Sequence, residues 1–387
     1  MDLIIRFLLL GVLSVAAQDD IQEILKDLFG TPPPLPDTNE TCILKSGGEG
    51  RCMPINLCGD TSSSKVVPIE VHKECKHYMD ICCSAIKEDD ENNPVITDAN
   101  HEADVSCGKH NPNGIQMSTV VDNDSEAKFA EFPWIAAVFV MKQRKLRRVY
   151  MGAGSIIHPE VVLTAAHITG GVMSVRAGEW DSMSSKELFD HQDIDVGEIV
   201  VHELYTPHRK NMQYDIAMLI LSSPLMLTVH VGVVCLPPPG TATTPAGTRC
   251  LATGWGKDKF QNGQYQNILK KIELPVVDRR HCENLLRRTR LTYRYKLHSS
   301  FMCAGGKADK DTCVGDGGAP LVCPIPEQND RYVQNGIVSW GIGCGKEGLP
   351  GVYIDLTFLR PWIDFQMTAR NFNTSSYTYK IIGKNNP

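Results

Sequence analysis

The stretch Asp311-Thr-Cys-Val-Gly-Asp-Gly-Gly-Ala-Pro320 decides how this chain folds and what it can do. Its centre is the run Gly315-Asp-Gly-Gly318. A glycine stands at position 317, and glycine has neither a hydroxyl nor a thiol. No side-chain atom at this position can therefore be activated to attack a carbonyl group. What that absence means depends on the sequence on either side.

Five further blocks lie around this stretch in a fixed order. They are Phe132-Pro-Trp134, Thr164-Ala-Ala-His167, Asp215-Ile-Ala-Met-Leu219, Ala252-Thr-Gly-Trp-Gly256 and Ser339-Trp-Gly341. With these blocks, residues 107–365 resemble a trypsin/chymotrypsin-type domain, in which the central motif reads Gly-Asp-Ser-Gly-Gly-Pro. The resemblance implies an all-β fold, a chymotrypsin-like double antiparallel β-barrel. Short β-rich runs between Gly and Pro turns are typical of such barrels. The runs expected to form strands are 134–141, 154–157, 161–165, 199–202, 216–221, 249–254, 336–340 and 351–355, with a closing helix at 359–365.

The resemblance implies a catalytic triad that has lost one member. His167 matches the general base and Asp215 the acid that orients it, while Gly317 takes the place of the nucleophilic serine. Ser339 and Thr312 are the nearest hydroxyls by chain position, and the fold uses both as structural residues. We therefore predict no catalytic residue and a degenerate triad of His167, Asp215 and Gly317.

A second departure concerns activation. Active relatives are cut after a basic residue, and the new amino terminus pairs with the aspartate before the nucleophile. That aspartate is Asp316 here, and the stretch matching the new terminus is Val121-Asp-Asn-Asp124. Residues 117–120 contain no Lys or Arg, and a glycan on Asn123 would occupy the place where the terminus should be buried. We therefore expect Asp316 to lack an ammonium partner.

The resemblance also places a specificity pocket. Asp311 matches its floor, and Gly341 and Gly351 match its walls. One interpretation is a pocket that still binds a Lys or Arg side chain without cutting. The expected one is a relic that does not form because activation never happens.

No cofactor is predicted. Calcium is the weaker alternative, because oxygen ligands suit it and some relatives hold Ca²⁺ in the matching loop. Acids on a surface loop are usually just solvated. The acids in question are Glu179, Asp181 and Glu187.

The chain has 387 residues, enough for two domains, and its net charge of −6 argues against a nucleic-acid partner. Residues 1–17 are predicted to be a signal peptide, with Arg6 before an apolar run that ends in Val15-Ala-Ala17. A membrane anchor is the alternative, but the run is too short to span a bilayer. We expect a secreted protein with an N-terminal arm at 18–41. Its glycosylation sequons are Asn39, Asn123 and Asn373.

Residues 42–83 contain six cysteines spaced C-x9-C-x5-C-x16-C-x6-C-C. So short a segment with little apolar content needs cross-links. Zinc is the alternative to disulfides, but no Cys-x2-Cys pair is present. Spacing alone leaves about fifteen connectivities open. The pattern resembles the clip domain of arthropod proteases, which implies the pairs Cys42–Cys82, Cys52–Cys75 and Cys58–Cys83.

The trypsin-type resemblance implies four more disulfides, and all fourteen cysteines are then used. The pair Cys107–Cys235 would tie the segment before the barrel to it. A family disulfide beside the histidine is missing at both ends, because Gly152 and Ile168 occupy its positions. The other implied pairs are Cys250–Cys323, Cys282–Cys303 and Cys313–Cys344.

Residues 84–106 are predicted to be an acidic linker, since seven acids face the single lysine Lys87. It is expected to be a plain spacer, with docking on a basic partner as the alternative. Two basic runs, 142–148 and 279–296, are expected to be solvated. The alternative there is a positive patch for an acidic partner or for the chain's own linker. Residues 366–387 are predicted to be a frayed tail.

Residues 42–365 together resemble the catalytically inactive clip-domain serine protease homologues of arthropods. The resemblance implies a haemolymph cofactor or adaptor in prophenoloxidase activation, part of melanisation in innate immunity. The implied partners are prophenoloxidase and its activating protease, with microbial-surface ligands as a further class and a homo-oligomer left open. In the family a cut between clip and barrel switches the cofactor on. A cut after Lys87 would free the clip, whereas one after Lys109 would leave it tethered through Cys107–Cys235.

Two other functions are left open by the sequence. One is an active serine endopeptidase of trypsin-like specificity, which Asp311 suggests. The other is a pattern-recognition or decoy-binding module without a phenoloxidase partner. A reactive-serine probe distinguishes the first, and recovery of prophenoloxidase from haemolymph distinguishes the second.

Overall fold

The computed structural model describes residues 41–43, 49–54, 80–83, 106–115, 125–142, 147–184, 187–206 and 212–379. The chain separates into two compact units, Met1–Thr97 and Asp98–Pro387. The predicted signal peptide and almost all of the predicted arm and acidic linker lie outside the described residues, as do Asn39, Asn123 and the stretch 121–124. Among the described residues, no helix has the length and apolar character needed to cross a bilayer.

The first unit contains a three-stranded antiparallel sheet. Its strands are β1 (Thr41–Ile43), β2 (Glu49–Pro54) and β3 (Asp80–Cys83), with β2 in the centre. The register places Cys52 opposite Cys82. The side chains of this unit lie outside the described residues, and with them the predicted disulfides Cys42–Cys82, Cys52–Cys75 and Cys58–Cys83. The backbone here is thus a small sheet within the segment predicted to be a clip domain.

The second unit begins with a closed antiparallel barrel of six strands. Its core strands are rich in apolar residues that the sheet buries, as in Ala-Met-Leu-Ile-Leu of β9, where only Ile220 is partly exposed. Closure of the sheet leaves no strand edge unpaired. The strands are β4 (Ile135–Lys142), β5 (Arg147–His158), β6 (Val161–Thr164), β7 (Met173–Ala177), β8 (Gln192–Val201) and β9 (Ala217–Leu221), closed in the order β4-β5-β6-β9-β8-β7.

A second closed barrel of six strands follows. Its inward residues pack with those of the first barrel into a core that includes Trp134, Leu321 and Tyr353, each fully buried. The strands are β10 (Arg249–Gly254), β11 (Lys270–Val277), β12 (Phe301–Gly305), β13 (Pro320–Pro324), β14 (Tyr332–Trp340) and β15 (Pro350–Asp355), closed in the order β10-β11-β12-β15-β14-β13. The predicted all-β double barrel is confirmed.

Two α-helices lie in the described part of this unit. Helix α1 (Arg279–Arg287) starts after Asp278, whose side chain accepts a hydrogen bond from the His281 N–H. Helix α2 (Leu356–Ala369) starts after Asp355, whose side chain accepts from the N–H groups of Thr357 and Phe358. Both are N-caps, in which a carboxylate satisfies amide groups that have no partner inside the helix.

The C-terminal segment differs from the prediction of a frayed tail. The helix expected at 359–365 runs from Leu356 to Ala369, and a short 3-10 helix follows at Thr374–Tyr377. Tyr377 is completely buried, and its hydroxyl donates to Asp364 Oδ1 over 2.8 Å. Phe372 and Tyr379 of the same segment are half-buried against the core, so several contacts hold it to the barrels. Residues 380–387 lie outside the described residues.

Four disulfides cross-link the second unit, and they join the same cysteines that the trypsin-type resemblance implied. Cys107–Cys235 closes the longest loop, with a sequence separation of 128 residues. The others are Cys250–Cys323, Cys282–Cys303 and Cys313–Cys344. A disulfide stabilises mainly by restricting the unfolded chain, more so for longer loops. The segment that precedes the barrel is therefore held to it covalently.

Candidate functional site

His167 and Asp215 meet in the cleft where the degenerate triad was predicted. His167 lies in a 3-10 turn, Ala166–Ile168, directly after β6. Its main-chain N–H donates to Asp215 Oδ1 and its Nδ1 lies 2.8 Å from Oδ2. Ser339 Oγ also donates to Oδ2, over 2.6 Å. Asp215 is fully buried, and these bonds compensate the loss of water around its carboxylate.

The nearby hydroxyls are engaged elsewhere. Ser339 Oγ is used by Asp215. Thr312 Oγ1 lies 3.0 Å from the hydroxyl of Tyr353, a residue of the second barrel's core. Neither side chain points its oxygen at His167 in a hydrogen bond. Both therefore act as structural residues in this geometry.

The position of the missing nucleophile is physically filled. A Cβ atom added to Gly317 would lie 2.6 Å from His167 Nε2 and 3.2 Å from Ile168 Cγ2. Real Cβ atoms do not approach other heavy atoms so closely, because repulsion rises steeply inside van der Waals contact. The imidazole thus occupies space that a serine side chain would need.

The missing disulfide beside the histidine is part of the same arrangement. A Cβ on Gly152 would lie 2.2 Å from the carbonyl oxygen of Gly317 and 3.0 Å from Ile168 Cδ1. The Gly317 carbonyl accepts a hydrogen bond from Ala153 N over 3.0 Å, and Ile168 is only 5% exposed. The space that a cross-link would take is filled by a main-chain carbonyl and an isoleucine. The two departures from the family pattern are therefore coupled in space.

Asp316 has only main-chain partners among the described residues. Oδ1 accepts from Gly256 N over 2.8 Å and Oδ2 accepts from Cys313 N over 2.9 Å. Burial raises the pKa of this carboxyl to about 6, against the effect of the two N–H donors. A cavity of about 240 Å³ lies beside it. Lys270 and Lys271 also line that cavity, but they pair with Glu126 and Glu131.

A second cavity, of about 310 Å³, joins the triad to Asp311. The specificity pocket predicted as a relic falls at this place, where the described residues line the cavity. Oδ1 of Asp311 is buried with no hydrogen-bond partner among the described residues, while Oδ2 accepts from Gly345 N over 3.2 Å. Burial raises the pKa of this carboxyl to about 6. The lining includes His167, Gly317, Gly341 and Gly351.

Comparison with known proteins agrees with this geometry. A family model described as Trypsin matches residues 121–363. Phenoloxidase-activating factor 2 of Galleria mellonella is 51% identical over 288 residues, which cover 72% of this chain and 94% of that protein. This chain belongs to the trypsin family, in its clip-domain branch. Inactive CLIP domain-containing serine protease A28 of Anopheles gambiae is 35% identical over 317 residues, 79% of this chain and 82% of that protein. Inactive CLIP domain-containing serine protease A8 of the same species is 33% identical over 329 residues, which cover 81% of this chain and 88% of that protein.

The acidic loop of this clip-domain trypsin homologue is paired internally. Glu179 Oε2 lies 3.0 Å from Arg176, and Glu187 Oε1 accepts from the N–H groups of Trp180 and Asp181. Burial, with a contribution from the charge of Glu179, raises the pKa of Glu187 to about 7. Within the described ranges, no group of His, Cys, Asp or Glu side chains is arranged to hold a metal ion.

A further cavity of this homologue was not predicted from the sequence. A cavity of about 540 Å³ lies between Phe139, Tyr150, Trp255 and Tyr265. The Tyr150 hydroxyl donates to the carbonyl oxygen of Gly315 over 3.0 Å, which fixes the main chain just before Asp316. No motif marks Tyr150. Only its place two residues before Gly152, on β5, could have indicated it.

Proposed function

We propose that this chain is a secreted, non-catalytic cofactor that assists the activation of prophenoloxidase in melanisation. The proposal is supported by the name and the 51% identity of the Galleria mellonella relative and by the relatives named inactive. The observation that carries it is Gly317, which removes the attacking group while the barrels and their disulfides are kept.

Gly317 removes the nucleophilic step of the triad mechanism entirely. His167 has no hydroxyl proton to accept, so the general-base step has no substrate. Removing the nucleophile from a working triad lowers turnover by roughly 10⁶-fold, and what remains comes from binding and polarisation alone. A second obstacle is activation, because residues 117–120 contain no Lys or Arg after which a protease could free an amino terminus to pair with Asp316. The chain has kept a scaffold that can bind but lacks the means to cut.

A scaffold of this kind suits an adaptor. The double barrel is cross-linked by four disulfides in its described part, and its cleft keeps an open cavity that reaches Asp311. Function in such a protein resides in its binding faces. In this proposal the partners are prophenoloxidase and the protease that cleaves it, and the medium is haemolymph.

Reconstitution tests the proposal directly. Prophenoloxidase is incubated with its activating protease, with and without this chain, and dopa oxidation is measured. We expect oxidation to rise only when all three proteins are present, and the chain alone to leave prophenoloxidase uncut. An equal rate with and without the chain contradicts the cofactor role.

The variant His167→Ala separates a cofactor from an enzyme. In a cofactor the imidazole has no chemical task, and Asp215 keeps its bonds from Ser339 and from the main-chain N–H of residue 167. We expect this variant to support dopa oxidation as well as the wild type does. A fall of about 100-fold or more would instead indicate an endopeptidase that depends on the histidine.

A fluorophosphonate probe and an arginyl substrate address the endopeptidase alternative. We expect neither labelling nor turnover by the purified chain, since both require an activated oxygen. Pull-down from haemolymph addresses the decoy alternative. Recovery of microbial ligands without any prophenoloxidase would favour it over the cofactor role.

A further inference from the structure

Residues 279–296 hold seven basic side chains, and two of them have structural tasks. The guanidinium of Arg279 donates to the carbonyl oxygens of Phe301 and Leu297, over 2.6 and 2.7 Å. Arg287 donates to the carbonyl oxygen of Tyr295 and pairs with Glu283. These bonds hold the segment against the second barrel.

The other five basic side chains are exposed and form no ion pair within the described residues. Both acids of the neighbourhood are already engaged. Glu283 pairs with Arg287 and accepts from Leu297 N, while Asp278 caps helix α1. A concentrated positive charge is thus left uncompensated on a chain whose net charge is −6. The five, called the basic patch below, are Arg280, Arg288, Arg290, Arg294 and Lys296.

The aromatic ring of Tyr293, within residues 279–296, is exposed to solvent. Thr292 has a φ of +68°, a left-handed conformation that a β-branched residue rarely adopts. The next residue, Tyr293, is 73% exposed. The Arg294 guanidinium lies 5.5 Å from the centre of its ring, and Arg294 Nε donates to its hydroxyl. Main-chain strain that the fold retains tends to mark functional positions.

An aromatic ridge adjoins the basic patch. Phe358, Trp362 and Phe365 recur at positions i, i+4 and i+7 of helix α2 and so lie on one face. Phe358 and Phe365 are 43% and 67% exposed. The ring of His298, two residues after Lys296, lies 6.5 Å from that of Phe358. His298 thus connects the end of the basic segment to the first ring of the ridge.

We propose that the basic patch, Tyr293 and the aromatic ridge form a docking surface for an acidic segment of a partner protein that also carries apolar side chains. Arginine forks pair with carboxylates in a bidentate geometry, and four of the five patch residues are arginines. Exposed aromatic rings beside arginines are typical of the residues that dominate protein–protein interfaces. A sulfated or phosphorylated polymer would bind the basic side chains but would make no use of the aromatic rings in binding.

The test uses the full secreted chain and a fluorescein-labelled peptide of glutamates interspersed with leucines. Fluorescence anisotropy should show binding that weakens about tenfold between low and high salt, because exposed charges are screened. The double variant Arg288→Gln/Arg290→Gln should bind about 3- to 10-fold more weakly. The matched control Lys307→Gln/Lys310→Gln removes the same charge at exposed lysines elsewhere and should bind like the wild type. An equal loss of peptide affinity in both double variants would overturn the proposal, since the overall charge of the protein would then explain the binding.

The aromatic part of the proposal has its own readout. Tyr293→Ala should weaken peptide binding by about fivefold or more and leave the binding of dextran sulfate unchanged. If Tyr293→Ala and Phe358→Ala bind the peptide like the wild type, the surface is a general polyanion site and the proposal is wrong. The titration needs no prophenoloxidase. A failed reconstitution and a failed titration therefore remain distinguishable.

Discussion

At the scale of single residues, Gly317 removes more than an oxygen atom. The carbonyl of this residue lies where a side chain on Gly152 would be, and the imidazole of His167 lies where its own side chain would be. Sequence alone identified the missing hydroxyl because the motif around it is specific. Sequence alone could not show that the space around Gly317 is filled. That filling depends on how Ile168 and Gly152 pack where the family has a disulfide.

The variant Gly317→Ser is therefore expected to remain inactive. The new side chain meets His167 Nε2 at 2.6 Å, so the imidazole must move and loosen its bond to Asp215. We expect no fluorophosphonate labelling and a loss of about 1–3 kcal/mol of unfolding free energy, the usual range for overpacking. Gly197→Ser is the matched control, since a Cβ there meets nothing closer than 3.7 Å. Labelling of Gly317→Ser above the wild-type background would show that only the hydroxyl was missing.

Asp311 makes stability depend on pH. Burial raises its pKa from 3.8 to about 6, so the folded chain binds a proton more tightly than the unfolded chain between these values. The contribution of the carboxyl to stability therefore falls as the pH rises through this window. Asp311→Asn stays neutral, and its amide can take the place of the unpartnered Oδ1 while its oxygen keeps the bond from Gly345.

We expect Asp311→Asn to raise the free energy of unfolding by about 1–2 kcal/mol at neutral pH and to give no gain below about pH 4. The expected gain in unfolding free energy is smaller than the free energy that corresponds to the whole pKa shift, because Asp311 is partly exposed and water screens its charge. Chemical denaturation at several pH values measures it. Asp309→Asn, at an exposed acid of the same loop, should change little at any pH. A destabilised Asp311→Asn at neutral pH would contradict the argument.

At the scale of elements, the sequence located eight of the twelve barrel strands and missed four. The missed strands are short or lack a plain apolar pattern. β11 begins with two lysines and contains Pro275, and a proline inside a run counts against a strand. β13 is five residues long with proline at both ends. Their place in the sheets is set by pairing with neighbours, which no local pattern can show.

The C-terminal segment was misjudged for a similar reason. Residues 366–387 are mostly polar, and their three aromatic residues, Phe372, Tyr377 and Tyr379, follow no helical or strand periodicity, so the sequence predicts a frayed tail. The fold nevertheless gives Tyr377 a buried site, where Arg360 lies 4.7 Å from its ring centre and Leu236 N donates to its carbonyl oxygen. Tyr377 is the fully buried aromatic side chain of this segment, and burial of such a ring contributes several kcal/mol to holding the tail in place.

Tyr377→Ala is accordingly expected to lower the free energy of unfolding by about 3–5 kcal/mol, as large-to-small changes in a core do. Tyr377→Phe keeps the ring and loses only the bond to Asp364, so we expect about 1 kcal/mol. Phe365→Ala, at an exposed ring of helix α2, serves as the control and should stay within about 0.5 kcal/mol. Thermal and guanidinium unfolding measure all three. Equal effects of Tyr377→Ala and Phe365→Ala would mean that the tail is not anchored.

At the scale of the whole molecule, the segment before the barrel is tied to it by more than a disulfide. Gly108 N donates to Val233 O over 2.7 Å, and Tyr332 N donates to Gly108 O over 2.8 Å. The guanidinium of Arg331 donates twice to the carbonyl oxygen of Cys107. A protease needs an extended and unpaired chain, so the bond after Lys109 is protected while the barrel is folded.

This protection predicts how a cut near the barrel must behave. Trypsin should release the new N-terminus His110 slowly from the native chain, and the fragment ending at Lys109 should leave the barrel only after the Cys107–Cys235 bond is reduced. Arg331→Ala removes two donors from Cys107, and a loss of one or two kcal/mol of local stability should speed the cut by about 5- to 30-fold. Arg249→Ala, which breaks an exposed pair with Glu273, is the control and should leave the rate unchanged. Mass spectrometry of the N-termini, with gels run before and after reduction, measures both effects. Rapid cutting after Lys109 in the native wild type would mean that this segment opens independently of the barrel, and a regulatory cut could then act there without unfolding it.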